Sequence, residues 1–345
     1  MKSKMVLSAL LSISLMASGC AAGGKEASSG ASAGQGGKPE AKKIVKIGIT
    51  QIVEHPSLDA ARQGFIAALK DNGYVEKDNL EIDVQIAQGD ATNNLSIAQK
   101  FATNKKDLVL AIATPSAQAA AQAIKDTPIL FTAITDPLGA KLVQSLEKPG
   151  ANVTGTSDTH PEAITKLMDF IAKDFPKTKT VGIVANEGEQ NSLVNVKKAE
   201  ESLSKLGIKV AKASVSNGSE VKQAAESLVG RVDAIYIPKD NTVVSSLESV
   251  IQTAEKNKIP LFVGEKDSVK RGGFASYGFD YYDLGYTTGK MAVDILKNGK
   301  KPADIPVGFP DTLDLALNMK AAKSEGIDVT QSMKDKVKDK KNIIE

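Results

Sequence analysis

Polar residues that could bind a small charged molecule follow predicted strands at two matching places in the chain. In the first half, Thr114 can cap a helix whose first turn leaves the N–H groups of Ser116 and Ala117 free for an anion such as a carboxylate. In the second half, Asp240 follows the corresponding strand and could accept a hydrogen bond from an ammonium group. Both sets of residues could also serve only as helix caps. Together they predict a site for a zwitterion, a molecule that carries both charges.

Other polar side chains follow the neighbouring strands, and we expect them to converge on the same site. The candidates for ligand binding, besides Thr114, Ser116, Ala117 and Asp240, are Gln51, Asp136, Glu189, Asn191, Ser192, Asn241, Thr242, Glu265 and Asp280. Each is a typical loop residue when taken alone, but their positions after successive strands favour a polar binding cleft. One of the acids Asp136, Glu189, Asp240 and Asp280 is expected to meet the ligand ammonium, and the sequence leaves open which one.

The sequence gives no support for an enzyme, a metal site or a bound cofactor. The two histidines, His55 and His160, each precede a proline and begin a helix, a placement typical of loop residues. The chain has no zinc-protease, nucleophile-elbow, phosphate-loop or paired-cysteine motif. A net charge of +3 is too small for a nucleic-acid footprint, and the lack of Trp argues against a sugar site. We therefore predict a binding protein without catalytic residues, metal or cofactor.

The elements that position these residues are short apolar strands that alternate with helices in two similar halves. Val45–Thr50 matches Thr180–Ala185, Thr127–Phe131 matches Lys258–Phe262, and one helix is predicted over Val243–Asn257. Such alternation predicts parallel sheets that are covered by helices on both faces. The length of 345 residues is sufficient for two domains. Because ligands bind outside the carboxyl ends of parallel strands, two facing lobes of this kind create one cleft.

The predicted fold class is α/β, with two Rossmann-like lobes and parallel sheets joined by a three-segment hinge. Gly, Asp or Pro residues that could absorb a hinge rotation occur at the predicted crossings, near residues 154–159, 278–280 and 305–311. The predicted N-terminal lobe comprises residues 43–156 and 280–305, and the predicted C-terminal lobe comprises residues 157–279 and 306–345.

The first 42 residues predict that the protein is exported to a bacterial cell surface. Residues 1–19 have a charged start, a short apolar stretch and small residues before the cleavage point, which is typical of a secretory signal peptide. Cys20, the only cysteine, follows Ala-Ser-Gly and resembles the lipidated cysteine of bacterial lipoproteins. The rest of residues 20–42 is rich in Gly, Ala and Ser and predicts a flexible linker. We expect a protein held by lipid on the outer face of the cytoplasmic membrane.

The cleft residues also resemble those of a known family. Glu54–Phe65, Ala111–Ala117, Pro238–Thr242 and Tyr277–Gly285 are similar to signature segments of ABC-transporter substrate-binding lipoproteins. The resemblance implies a type I periplasmic-binding-protein fold, an ABC permease and ATPase as partners, and an aromatic amino acid as ligand. Lys239 departs from the family pattern, which usually has Thr or Ser there, and its charge could alter the rim of the cleft.

These observations predict a monomeric, lipid-anchored solute-binding protein whose lobes close around tryptophan, tyrosine or phenylalanine. Its membrane contact is expected through the lipid alone, and nucleic acid is not an expected partner. Two alternatives stay open at this point: a sensory ligand-binding domain that docks on a receptor kinase, and a receptor for another small solute such as a nucleoside or a sugar.

Overall fold

The structure, a computed structural model, describes residues 43–345. The predicted signal peptide (residues 1–19), the predicted lipidation site Cys20 and the predicted linker (residues 20–42) lie outside the described residues. The described part is built around two sheets, which we call the first and the second sheet in chain order.

The first sheet is parallel throughout and, apart from the edge strand β2, is mostly buried on both faces. Its strands are β1 (Val45–Gln51), β2 (Leu80–Ile86), β3 (Leu108–Ile112), β4 (Ile129–Ile134) and β5 (Val153–Ser157). They lie side by side in the order β2-β1-β3-β4-β5, and each neighbouring pair is parallel. Every residue of β3, β4 and β5 is buried, as expected where helices cover both faces of a parallel sheet.

The second sheet is larger and contains one antiparallel pair. Its strands are β6 (Thr180–Ala185), β7 (Lys209–Ser214), β8 (Ala234–Ile237), β9 (Leu261–Val263), β10 (Ala275–Gly278), β11 (Asp314–Asn318) and β12 (Ile343–Ile344). Their order is β12-β11-β10-β9-β8-β6-β7. β10 and β11 are antiparallel, and the other neighbours are parallel. The predicted α/β fold with two mainly parallel sheets is therefore confirmed.

Helices cover both sheets. They are α1 (Pro56–Asp71), α2 (Ala91–Thr103), α3 (Thr114–Ala123), α4 (Ala163–Asp174), α5 (Gln190–Lys205), α6 (Val221–Ser227), α7 (Asn241–Ser245), α8 (Leu247–Asn257), α9 (Lys266–Arg271), α10 (Tyr281–Asn298), α11 (Met319–Glu325) and α12 (Gln331–Asp335). Apolar side chains of strands and helices form separate core clusters in the two lobes.

The single helix predicted over Val243–Asn257 is interrupted, so that prediction was wrong. α7 and α8 are separated by Ser246, whose φ of −118° and ψ of 23° lie outside the helical range. Serine side chains compete with helix backbone hydrogen bonds, and the Ser245 hydroxyl donates to the Thr242 carbonyl at 2.8 Å just before the break.

Helix α10 returns from the second sheet to pack on α1, beside the first sheet. Glycines bring the two helices into close contact: a Cβ at Gly64 would lie 2.0 Å from the Tyr282 carbonyl oxygen, and one at Gly285 would lie 1.9 Å from that of Ala61. No larger residue fits at these positions without separating the helices.

The segments that run between the two sheets are tied to one another. The N–H of Ser157, at the end of β5, donates to the Gly308 carbonyl at 2.8 Å, and the N–H of Gly308 donates to the Gly155 carbonyl at 2.9 Å. The hydroxyls of Thr156 and Thr288 lie 2.7 Å apart. The chain therefore passes between the lobes in three segments that lie side by side, which is the arrangement that a common hinge requires.

Candidate ligand-binding cleft

The first sheet ends in strained backbone at the edge that faces the second lobe. Ala113, directly after β3, has a φ of +73°, and Ala133, within β4, has a φ of +60°. The register between β4 and β5 also shifts between Phe131 and Ile134. Positive φ at residues other than glycine costs roughly 1–3 kcal/mol and is concentrated at binding and active sites. This edge therefore has a backbone typical of a ligand site.

Helix α3 begins at this edge without a side-chain cap. Its N-cap is Ala113, so the prediction that Thr114 caps the helix was wrong. Ser116 Oγ donates to Asn94 Oδ1 at 3.1 Å, which joins α3 to α2. The N–H of Ala117 donates to the Ala113 carbonyl at 3.1 Å, so it is used within the helix. Thr114 is buried, and its hydroxyl has no partner among the described residues. Of this predicted anion site, the Ala117 N–H is therefore occupied, whereas the Thr114 hydroxyl is available.

Asp240, at the matching edge of the second sheet, is held by three donors of its own lobe. Its Oδ1 accepts from the N–H of Val243 at 2.9 Å and so caps α7. Its Oδ2 accepts from the N–H of Asn186 at 2.5 Å and from the Ser192 hydroxyl at 2.6 Å. Burial and the nearby Glu189 carboxylate raise the pKa of Asp240 to about 7. The carboxyl therefore joins the first turns of α5 and α7, as the capping alternative predicts.

Glu189 makes the same kind of connection. Its Oε1 accepts from the N–H and the hydroxyl of Thr242 at 2.9 and 2.7 Å. Its Oε2 accepts from the side-chain amides of Asn241 and Asn191 at 2.5 and 3.0 Å. The predicted residues Glu189, Asn191, Ser192, Asp240, Asn241 and Thr242 are thus brought together in one hydrogen-bonded cluster. Asn191 Oδ1 is the oxygen of this cluster without a partner among the described residues.

A second cluster lies on the hinge side of the cleft, and its centre is Asp158, which sequence reasoning did not select. The carboxylate accepts from the Thr135 hydroxyl at 3.1 Å and from the Tyr281 hydroxyl at 2.8 Å. Lys239 Nζ donates to the Asp158 carbonyl and lies 3.8 Å from its Oδ2. The ammonium also lies 4.8 Å from the centre of the Phe279 ring. Lys239 is therefore buried near the hinge instead of lying at the rim.

Hydrogen bonds connect the two lobes across the cleft. The Ser57 hydroxyl of α1 donates to Glu265 Oε2 at 2.7 Å, and both side chains are buried. Asn195 Nδ2 of α5 donates to the Thr135 hydroxyl at 3.3 Å. Burial, opposed by the Ser57 hydrogen bond, raises the pKa of Glu265 to about 7. The predicted residue Glu265 thus lies at the lobe interface.

His55 begins α1 and faces the second lobe. Its side chain is hydrogen-bonded to Asn241, and burial lowers the pKa of His55 to about 4. The imidazole is therefore neutral at physiological pH. Its Nδ1 is a buried atom without a partner among the described residues.

The remaining three predicted residues lie outside these clusters. Gln51 Oε1 accepts from Arg62 at 2.6 Å, behind the cleft surface of the first lobe. Asp136 is half-buried and accepts from the N–H of Gly139 at 2.9 Å. Asp280 is exposed and caps α10. Each of the three serves a local turn or a neighbouring side chain.

Two cavities lie between the lobes. The larger has a volume of about 730 Å³ and is lined by Ile52, Val53 and Pro115 of the first lobe and by Asn186–Glu189 and Ser214–Gly218 of the second, among others. The smaller, of about 10 Å³, lies in the hinge-side cluster and is lined by Leu58, Ala133, Thr135, Asp158, Asn191, Lys239, Asn241, Glu265 and Tyr281. Asn241 lines both. The larger cavity therefore combines apolar side chains with polar and acidic ones such as Glu187 and Glu189, and charged groups surround the smaller cavity.

A family model described as ABC transporter substrate binding protein matches residues 46–341. The chain belongs to this family. The binding protein is 44 % identical over 341 residues to a tyrosine-binding protein of Clostridioides difficile (strain R20291), covering 98 % of this chain and 96 % of the relative. Its fold is that of the type I periplasmic binding proteins. Its role is to bind the substrate of an ABC transporter, and proteins of this family act outside the cytoplasm and are not enzymes.

Two solved structures of relatives are similar to this chain to different degrees. An ABC domain of Streptococcus pneumoniae in complex with L-Trp is 37 % identical and has a TM-score of 0.81, covering 86 % of this chain and 99 % of that one. The ligand-free, open structure of a Clostridium difficile substrate-binding protein with adhesive properties is 47 % identical, covers 84 % and 97 %, and has a TM-score of only 0.63. The chain thus superposes better on the L-Trp complex than on the open structure, although it is more similar in sequence to the latter. Its own lobes are joined by the hydrogen bonds from Ser57 to Glu265 and from Asn195 to Thr135, which describe a closed cleft.

Two further observations concern membrane-spanning helices and metal sites. Among residues 43–345, no helix is both long and apolar enough to span a bilayer. Within the same range, no group of three His, Cys, Asp or Glu side chains is arranged to hold a metal ion.

Proposed function

We propose that this binding protein captures an aromatic amino acid (tryptophan, tyrosine or phenylalanine) between its lobes and delivers it, chemically unchanged, to an ABC permease driven by its ATPase. The observation that carries the proposal is that the chain superposes well on an L-Trp complex and has a closed cleft that combines apolar side chains with polar and charged ones. The tyrosine-binding relative supports the same class of ligand.

The unsatisfied atoms of the cleft indicate where the polar part of the ligand binds. Asn191 Oδ1, which lines the smaller cavity, and Thr114 Oγ1, next to Pro115 of the larger cavity, are buried without partners among the described residues. A buried polar atom without a partner costs about 1–3 kcal/mol, so a ligand that provides partners recovers that energy. The Thr114 hydroxyl and the first turn of α3 form the anion site, where the helix dipole favours a carboxylate.

Acceptors for the ligand ammonium are available on the opposite side of the cleft. The Glu189 carboxyl, which lines the larger cavity, and Asn191 Oδ1, which has no partner among the described residues, are such acceptors on the second lobe. Because Asp240 already accepts three hydrogen bonds, we place it behind this surface, where it orients the first turns of α5 and α7.

The binding protein works at the outer face of the bacterial cytoplasmic membrane, attached by a lipid on Cys20. Since the mature chain carries almost no net charge, the lipid must provide the attachment to the membrane.

A thermal-shift screen of the purified protein against the twenty amino acids, nucleosides and common sugars tests the ligand class. A ligand at 100 times its Kd adds about 2.7 kcal/mol to the free energy of unfolding, which is a readily measured increase in Tm. We expect an increase with aromatic amino acids alone. An increase with nucleosides or sugars alone would reject the aromatic ligand, and no increase with any compound would favour a sensory role.

A further inference from the structure

We propose that Lys239 is a specificity-determining residue, and that its ammonium group selects an aromatic amino acid whose ring ends in a hydroxyl, such as tyrosine, over phenylalanine. The inference rests on the proposed binding of aromatic amino acids and concerns the distal end of the ligand. It depends on the position of the ammonium, on the size of the cavity beside it and on the walls that lead to that cavity.

The Lys239 ammonium is held in the cleft with donors to spare. Its side chain is 9 % exposed, although lysine is among the residues that are least often buried. Among the described residues it donates one hydrogen bond, to the Asp158 carbonyl. The Asp158 carboxylate, at 3.8 Å, is close enough for ion pairing but beyond hydrogen-bond distance. Since an ammonium group has three N–H donors, two of them can serve a ligand.

The cavity beside the ammonium accommodates one oxygen atom. Its volume of about 10 Å³ corresponds to roughly one water molecule. A carboxylate or an α-carbon with its ammonium is too large for this space, whereas a terminal hydroxyl fits. A hydroxyl can accept from the Lys239 ammonium and donate to the Asp158 or Glu265 carboxyl, both of which line the cavity. The cavity is therefore complementary to a hydroxyl in both size and hydrogen bonding.

The adjoining larger cavity can hold the ring that carries such a hydroxyl. Ile52, Val53, Pro115 and Val215 provide apolar surface there, and Asn241 lines both cavities. Among the residues that line the two cavities, which all belong to the described part of the chain, Lys239 is the one lysine or arginine. A ligand without a distal hydroxyl would leave the remaining N–H donors of the Lys239 ammonium without a ligand acceptor, and sites built to bind a hydroxyl strongly reject analogues that lack it.

The test measures the affinities of the purified protein for L-tyrosine and L-phenylalanine by isothermal titration calorimetry, in the wild type and in Lys239→Met. We expect the affinity for tyrosine to fall roughly 10- to 100-fold, the value of one hydrogen bond to a charged group. The affinity for phenylalanine should change less than about 3-fold, because methionine retains the apolar stem of the side chain.

Lys106→Met provides a matched control in the first lobe, away from the cleft. The Lys106 side chain is 5 % exposed, its Nζ lies 3.1 Å from Asp83, and it lies 5.3 Å from the centre of the Phe101 ring. This variant removes a similarly buried, ring-stacked and paired ammonium, and it should leave both affinities unchanged. If Lys239→Met unfolds, Lys239→Gln retains a polar donor and should show a smaller loss confined to tyrosine.

The other outcomes overturn the inference in distinguishable ways. Equal losses for tyrosine and phenylalanine would mean that Lys239 binds the α-carboxylate that both ligands share. Equal gains in affinity for the two amino acids would mean that Lys239 does not bind the ligand and that its contacts with Asp158 compete with ligand binding. If the wild type binds neither amino acid but binds another solute, the proposed ligand class fails and the inference fails with it.

Discussion

Glu265 makes ligand affinity depend on pH, because closure of the lobes buries its carboxyl. In the closed structure burial raises its pKa to about 7, while the Ser57 hydrogen bond and the Lys239 charge oppose that rise and the Asp158 and Asp267 charges add to it. In an open cleft we expect the carboxyl to return toward its ordinary pKa of 4.5. The closed form then binds more protons than the open form. Closure is therefore favoured below pH 4.5 to 5 and loses this advantage as the pH rises through 7.

The two pKa values give the size of the effect. Between pH 5.5 and pH 8.5, a shift from 4.5 to about 7 changes the closing equilibrium about 30-fold, or roughly 2 kcal/mol. This value is an upper estimate, since it assigns the whole shift to closure. A ligand that binds only the closed form loses affinity by the same factor. Calorimetric titration with an aromatic amino acid at pH 5.5, 7.0 and 8.5 measures the loss.

Glu265→Gln should abolish this dependence and keep the contact. The glutamine oxygen can still accept from the Ser57 hydroxyl, which lies 2.7 Å from Glu265 Oε2, so the affinity at pH 5.5 should stay close to that of the wild type. Asp240→Asn is the matched control, because Asp240 also has a pKa of about 7 but is bound within one lobe. It should alter stability and leave the pH dependence of affinity in place. An affinity of the wild type that does not change with pH, or an unchanged slope in Glu265→Gln, would show that closure does not raise the pKa of Glu265.

Three other predictions test the remainder of the chain. Burial raises the pKa of Glu325 to about 9. The difference in free energy of unfolding between Glu325→Gln and the wild type should therefore grow by about 1.4 kcal/mol per pH unit between pH 5 and 9. Urea unfolding at several pH values measures this difference, and Glu226→Gln, at an exposed position, should show no such growth. Gly285→Ala should cost roughly 3 kcal/mol in urea unfolding, because the new Cβ would lie 1.9 Å from the Ala61 carbonyl; a loss below 1 kcal/mol would contradict the close helix contact. Cys20→Ser should release the protein into the medium, and continued membrane association would exclude the lipid anchor.

The fold could be predicted from the sequence because its signals are local and repeated. Each strand of a parallel sheet is a short apolar run, and the matching segments Val45–Thr50 and Thr180–Ala185 occur as β1 and β6, each next to an edge strand of its sheet. The order of the elements then places the polar turns at one edge of each sheet. The interruption at Ser246 was missed because helix periodicity continues across it and only the backbone angles reveal the break.

The hinge-side cluster could not be predicted in the same way. Asp158 and Tyr281 are 123 positions apart and meet because two crossings of the hinge run side by side. The family pattern indicated that Lys239 is unusual, but its burial depends on the same crossings of the hinge. The sequence also left open whether Asp240 caps a helix or meets a ligand, since both roles need a carboxylate after a strand. Its three donors inside one lobe are a property of tertiary structure.

The polar character of the lobe interface explains how a small ligand can control closure. Within each lobe, buried apolar clusters provide the stability, whereas the cleft is closed by isolated hydrogen bonds such as Ser57 to Glu265 and Asn195 to Thr135. Each is worth about 0.5–1.5 kcal/mol, or up to about 3 when one partner is charged. Open and closed forms therefore differ by a few kcal/mol. A ligand moves such an equilibrium by its difference in affinity for the two forms, so one amino acid bound between the clusters is sufficient to hold the lobes closed.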